Sequence, residues 1–271
     1  VFWPDFVNNV ELFFLVFTRV IALIMVAPML SSDGVPNIAK IGLALFAAIG
    51  VFPWIKAMGY SLSSSGMGYV ALLIGEGMIG ISIGFFLQIV YAGFQTAGQF
   101  FALQIGFGAS EVFDPLSQEE LPITGQFFNF IAMYVFLSIS GFTKMFLYGV
   151  YGSFQALNTI NLARAEVKFL EYFIGGLGKL FEQALILSFP ILGTLFVVSI
   201  TMGLLAKAAP QLNLMNMGFP INIVLAFVIL IILVPVLADA FSGIVDNSFS
   251  TLARMLLEIG GQVRSEAGVS Q

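Results

Sequence analysis

Few residues in this chain could do chemistry, and their scarcity is informative. Glu76 stands between Gly75 and Gly77 at the head of a run, Gly77 to Ser110, of thirty-four residues without a charge. Arg19 and Glu11 interrupt an otherwise apolar first segment. An ionisable group in such surroundings is a functional candidate, commonly for proton or ion handling. Glu76 therefore reads either as a proton site or as a structural charge, with Arg19 a possible partner; no second membrane carboxylate on a matching face completes a relay. Glu11 and Arg19 lie eight residues apart, about 12 Å along a helix axis and too far for a direct pair. Each either snorkels from a helix end or faces neighbouring protein.

Other chemistry is excluded by residue type. With no histidine and no cysteine, the commonest general base and the thiol nucleophile are missing, so no nucleophile–base pair can be drawn, and no carboxylate cluster offers a metal site. The stretch Gly175-Gly176-Leu177-Gly178-Lys179 is superficially similar to a phosphate-binding loop, but Leu180 stands where that motif needs Ser or Thr. An enzyme is not expected, nor a cofactor. The net charge of −5, without a basic cluster, argues against a nucleic-acid partner.

The elements that must position these residues are membrane helices. Hydrophobic residues make up 59% of the chain and charged ones 9%, with a mean hydropathy of +1.01, whereas a soluble domain carries about 25% charged residues. No basic stretch followed by a small-residue cleavage site is visible near the start, so a removed signal peptide is not expected. Phe6 to Leu30 reads as one spanning helix. Ile41 to Ile55, interrupted by Pro53, falls short of a comfortable crossing. Pro122 to Phe142 and Met145 to Ala163 are two helices, or one broken by Gly141 and Gly149. Leu162 to Glu182 alternates charges with bulky apolar residues and predicts an amphipathic helix interrupted at Gly175-Gly176. Two long uncharged runs follow, joined by a proline-bounded link from Lys207 to Pro220, which predicts a closing antiparallel hairpin. Asp239 and Asp246 mark its polar end, and Leu252 to Val263 forms a short amphipathic tail.

Two patterns suggest surfaces meant to be covered. At about 100° per residue, Gly77, Gly84, Gln88, Gln95 and Gln99 fall within about 60° of one another, with Gly80, Tyr91 and Gly98 close beside them. Glycines permit close helix approach and amides facing lipid would go unsatisfied, so this stripe packs within the chain or lines a pore or intersubunit groove. The hairpin tip alternates Gln211, Asn213 and Asn216 with Leu212, Leu214, Met215, Met217 and Phe219, more apolar than a free tip requires. Gly106 to Pro122 breaks the helical pattern with glycines, prolines and four acids. It reads as a solvated loop, or, given Phe107 and Phe113 on a bendable segment, as a flap over a hole.

The run Pro210-Gln211-Leu212-Asn213 followed by Met217-Gly218-Phe219-Pro220-Ile221 resembles the FliR family, the flagellar type III export gate proteins, and their virulence-secretion relatives. Weaker echoes are Gly75-Glu76-Gly77, the glycine and glutamine series from Gln95 to Gly106, and Asp114-Pro115 ahead of Gly125-Gln126. The resemblance covers nearly the whole chain. It implies an all-α membrane protein of long, kinked hydrophobic helices in hairpins, with residues 1–178 similar to FliP and 179–271 similar to FliQ. It further implies FliP-like and FliQ-like partner subunits, an FlhB-like protein gripping the tip at Pro210, Gln211, Asn213, Gly218 and Pro220, unfolded export substrates, lipid, and a flagellar basal body in the bacterial inner membrane. In that family the loop matching 106–122 helps plug the central channel, which makes Gly106, Phe107, Gly108, Phe113, Asp114 and Pro115 the gate. The rival from another class is a self-contained secondary transporter with Glu76 as its proton site; no internal repeat of the kind such transporters show is found. Orientation stays open: the spread of basic residues favours cytoplasmic ends, whereas the resemblance places the Pro210 to Pro220 tip in the cytoplasm.

Overall fold

In the computed structural model the described residues are 2–32, 34–60, 65–105, 123–156, 166–208 and 214–266. Among them the regular structure is all helical. The helices are α1 (Phe2–Val26), α2 (Asn37–Ala57), α3 (Gly66–Ile105), α4 (Ile123–Ser138), α5 (Gly141–Ala156), α6 (Glu166–Ala208) and α7 (Leu214–Glu266). Five of them are long and apolar enough to cross a membrane, and α4 with α5 would make a sixth if taken as one broken span. The chain divides into two compact units, one of residues 1–90, 140–176 and 245–271, the other of 91–139 and 177–244.

In the first unit the directions of the helices follow from their contacts. Tyr69 of α3 bonds the backbone of Glu11 on α1, Glu76 meets Arg19, and Gly84 lies on Leu23 and Val26. Both residue numbers rise together, so α1 and α3 run parallel. The intervening α2 runs back along α1: Lys40, near its start, bonds Ser31 just beyond α1, while Phe52, near its end, packs on Phe13. On α5, Gly149 faces Leu23 and Ser153 reaches Arg19, so α5 runs against α1. Leu15, Val16, Val20, Leu23 and Ile24 of α1 are fully buried in this unit. In the second unit Phe94 of α3 packs on Phe128 of α4 and Phe241 of α7, with ring centroids 5.3 and 4.2 Å away. Outside these cores the helices carry large apolar side chains into the open, among them Phe46, Phe130, Phe189, Ile231 and Ile232. Hydroxyl groups within the spans bond back to their own helix, as Thr18 does to Phe14, Thr96 to Ala92 and Thr201 to Val197. A polar side chain satisfied this way needs no water.

Several helix boundaries differ from the sequence expectation. The second span is 21 residues, Asn37–Ala57, and long enough to cross. It takes in Lys40, whose ammonium folds back to the Ser31 carbonyl, and Lys56, and Pro53 sits near its end, where little helix remains to disturb. Gly175-Gly176 does not interrupt α6, which runs unbroken for 43 residues; two glycines cost only about 1 kcal/mol each in a helix. Pro220 does not delimit the tip, since α7 has already begun at Leu214, and Pro220 and Pro235 both lie inside it. Long apolar helices tolerate such prolines when neighbouring groups take up the freed carbonyl. Asp239 and Asp246 do not end the hairpin either: the expected amphipathic tail is the continuation of the same 53-residue helix. The break in the middle of the chain falls at Ser140, in left-handed conformation with φ 58°, immediately before Gly141. Gly149, the other expected breakpoint, is instead accommodated in a π-helical stretch, Met145–Tyr151.

Candidate functional site

The first unit holds a buried polar cluster, built from four separate pieces of chain. Arg19 from α1 and Glu76 from α3 both have no solvent exposure. Arg19 Nε and Nη2 each lie 2.5 Å from Glu76 Oε2. Tyr60, which follows the left-handed Gly59 after α2, donates its hydroxyl to Glu76 Oε1. Ser153 of α5 takes a third hydrogen bond from Arg19, from Nη1 at 3.0 Å, and its own hydroxyl donates to the Val150 carbonyl. The guanidinium carbon lies 3.6 Å from the centre of the Phe154 ring, a cation–π contact that covers its face. Tyr60 stands edge-on to the same ring. Both carboxylate oxygens and all three guanidinium nitrogens are thus engaged, the arrangement a buried ion pair needs to offset its lost hydration.

Local sequence explains why these pieces meet. An ideal Cβ on Gly80 would fall 2.2 Å from the Arg19 carbonyl oxygen and 2.9 Å from Ala22 Cβ, and one on Gly84 would fall 2.8 Å from the Leu23 carbonyl. Only glycine lets the two backbones come this close, one turn below the ion pair. Gly77 is less tightly held, with Thr18 Cγ2 at 3.6 Å from its notional Cβ. The π-helical stretch of α5 ends at Tyr151, two residues before Ser153; such bulges rotate the residues after them and often occur where a side chain must be aimed.

In the second unit the continuation of α3 carries a second polar group. Asn129 Oδ1 of α4 accepts from the Tyr91 hydroxyl at 2.6 Å and from Gln95 Nε2 at 3.1 Å. Next to it Gly98 faces Gly125 Cα and Phe128, at 3.0 and 3.1 Å from a notional Cβ. The stripe anticipated along α3 is therefore divided: Gly77, Gly80 and Gly84 face α1 in the first unit, and Gln95 serves α4 in the second. Gln99 is half-buried. Gln88 Oε1 is buried without a hydrogen-bond partner among the described residues. Of the tip residues, Gly218 and Pro220 lie in the first turns of α7, while Pro210, Gln211 and Asn213 lie outside the described residues, as do all of Gly106, Phe107, Gly108, Phe113, Asp114 and Pro115. Tyr60, Ser153, Phe154 and Asn129 were not singled out by sequence reasoning. Asn129 had a signal, being an amide in an apolar span; Ser153 and Phe154 had none, because only the turn of α5 aims them at Arg19. Among the described residues no group of acids could hold a metal ion.

Residues 10–248 match the family model described as bacterial export proteins, family 1. The chain belongs to that family. Its relatives in the family include the flagellar biosynthetic protein FliR of Bacillus subtilis, 28% identical over 92% of this chain and 95% of the relative. FliR of Pectobacterium carotovorum is 29% identical over 94% and 96%, and FliR of Escherichia coli 28% identical over 95% and 96%. The match to the export family thus takes in both units, the ion pair and the Asn129 cluster, and the family resemblance drawn from the Pro210 to Ile221 run stands.

Proposed function

We propose that this chain is a subunit of the flagellar protein export apparatus in the bacterial inner membrane, where it helps form the channel that passes unfolded substrates. The observation that carries this reading is the family match from residue 10 to 248, which leaves almost none of the chain for a different activity. One feature supports an assembled role: large apolar side chains stand exposed along α2, α6 and α7, which suits lipid and further helices from sister subunits. The partners are FliP-like and FliQ-like subunits, which residues 1–178 and 179–271 respectively resemble, and an FlhB-like protein at the tip around Gln211, Asn213, Gly218 and Pro220. In this reading residues 106–122 obstruct the channel, Gln95 and Gln99 support the adjoining wall, and gating is passive, with displacement of the obstruction admitting an extended polypeptide. Glu76, charge-matched by Arg19, is spoken for as a structural group, which weighs against the proton-coupled transporter.

Purification under mild detergent tests the assembly: stable co-purification with two small hydrophobic partners is expected, and a chain that is monodisperse and transports solute alone would refute it. Deleting residues 110–118 is expected to leave the complex assembled but leaky to small ions. An unchanged membrane conductance in cells carrying the deletion would remove the plug assignment.

A further inference from the structure

The geometry points to the Arg19–Glu76 pair as a charge-matched interlock that sets the register of α1 against α3 and docks α5, with no ion-carrying role in transport. The pair lies on the seam where α1 and α3 run parallel, one turn from the Gly80 contact, so a slip of one turn along either helix would separate the charges and drive a notional side-chain-sized space against the wrong residues. An offset of one turn would still leave a glycine at one of the Gly80 and Gly84 contact sites, so these two contacts alone leave some ambiguity in register. A single buried ion pair removes that ambiguity, since every other offset leaves a guanidinium and a carboxylate unpaired in apolar surroundings. Buried polar groups that specify register rather than add stability are the best-attested use of such pairs.

The surroundings fit a latch better than a relay. Tyr60 donates to Glu76, the Ser153 hydroxyl donates to the Val150 backbone carbonyl, and Phe154 covers the guanidinium face. A proton carrier needs a carboxylate that alternates between partners. Here Glu76 is held by Arg19 of α1 and by Tyr60 in the turn after α2, while Arg19 in turn holds Ser153 and Phe154 of α5, so releasing Glu76 would leave Arg19 without its counter-charge in that packing. The exposed ion pair Lys144–Asp246 belongs to a separate contact between α5 and α7.

The test compares single with paired neutralisation in the full-length chain, expressed in cells lacking the native copy. Arg19→Met and Glu76→Leu each strand one buried charge, and each is expected to lower membrane accumulation and protease resistance in mild detergent several-fold. The double variant strands no charge but leaves the register to the glycine contacts alone, and is expected to recover accumulation, protease resistance and flagellar motility in part, above either single variant and below the parent chain. Single variants that accumulate normally would overturn the interlock, as would a double variant no better than the worse single. A double variant that accumulates and resists protease yet supports no motility would also overturn it, by showing that the charges serve transport itself. The accumulation and protease readouts decide the interlock whether or not the export reading holds.

Discussion

Replacing Gly80 by alanine adds one methyl group at the tightest point of the α1–α3 seam. That carbon would sit 2.2 Å from the Arg19 carbonyl oxygen, a backbone atom that cannot rotate away. Ordinary contact begins at about 3.4 Å, so the helices must part by about an ångström. The Arg19–Glu76 contact, 2.5 Å at rest, then leaves the range of a direct charge-assisted hydrogen bond unless the side chains follow. Overpacking a tight contact costs about 1–3 kcal/mol, and partial loss of a buried pair adds to it, giving an expected loss of about 3 kcal/mol or more. Thermal unfolding of the purified chain in mild detergent measures this. The series supplies its own controls: Gly84→Ala, with 2.8 Å to the Leu23 carbonyl, should cost less, Gly77→Ala, at 3.6 Å, almost nothing, and Gly175→Ala, with nothing within 4 Å, should be neutral or stabilising. A Gly80→Ala chain that melts with the parent, or a series out of this order, would refute the seam as the source of the cluster's geometry.

Asn129→Leu should destabilise the second unit by about 1–3 kcal/mol, because it strands the Tyr91 hydroxyl and Gln95 amide; adding Tyr91→Phe to that variant should recover part of the loss in denaturant titration. Lys144→Ala should shift the melting point little, since the Lys144–Asp246 pair is 31% and 51% exposed and such pairs are worth about 1 kcal/mol at most; a drop of several degrees would contradict this. Ser140→Gly should stabilise the chain by about 1 kcal/mol, as glycine adopts the left-handed φ of 58° without a Cβ penalty, whereas Ser140→Val should destabilise it in the same melting assay.

Composition and run length by themselves determined that this chain is a set of membrane-length helices, because the length of an apolar run is set by bilayer thickness and needs no tertiary information. The same sequence carried the family in the Pro210 to Ile221 run, and it flagged Glu76, Arg19 and the small residues of α3 because charges and glycines are conspicuous against an apolar background. Helix ends were less legible. Gly175-Gly176 and Pro220 look like breaks locally, yet a long hydrogen-bond ladder and packing override a cost of one or a few kcal/mol. What Glu76 and Arg19 do could not be read from spacing at all: 57 residues separate them, and they meet because α1 and α3 run parallel and Gly80 lets them close. Tyr60, Ser153 and Phe154 join only because the turn after α2 and the π-helical stretch of α5 aim them inward. Sequence names the groups that lipid cannot leave alone; three-dimensional packing chooses their partners, since a buried charge is satisfied by position in space and not by order along the chain.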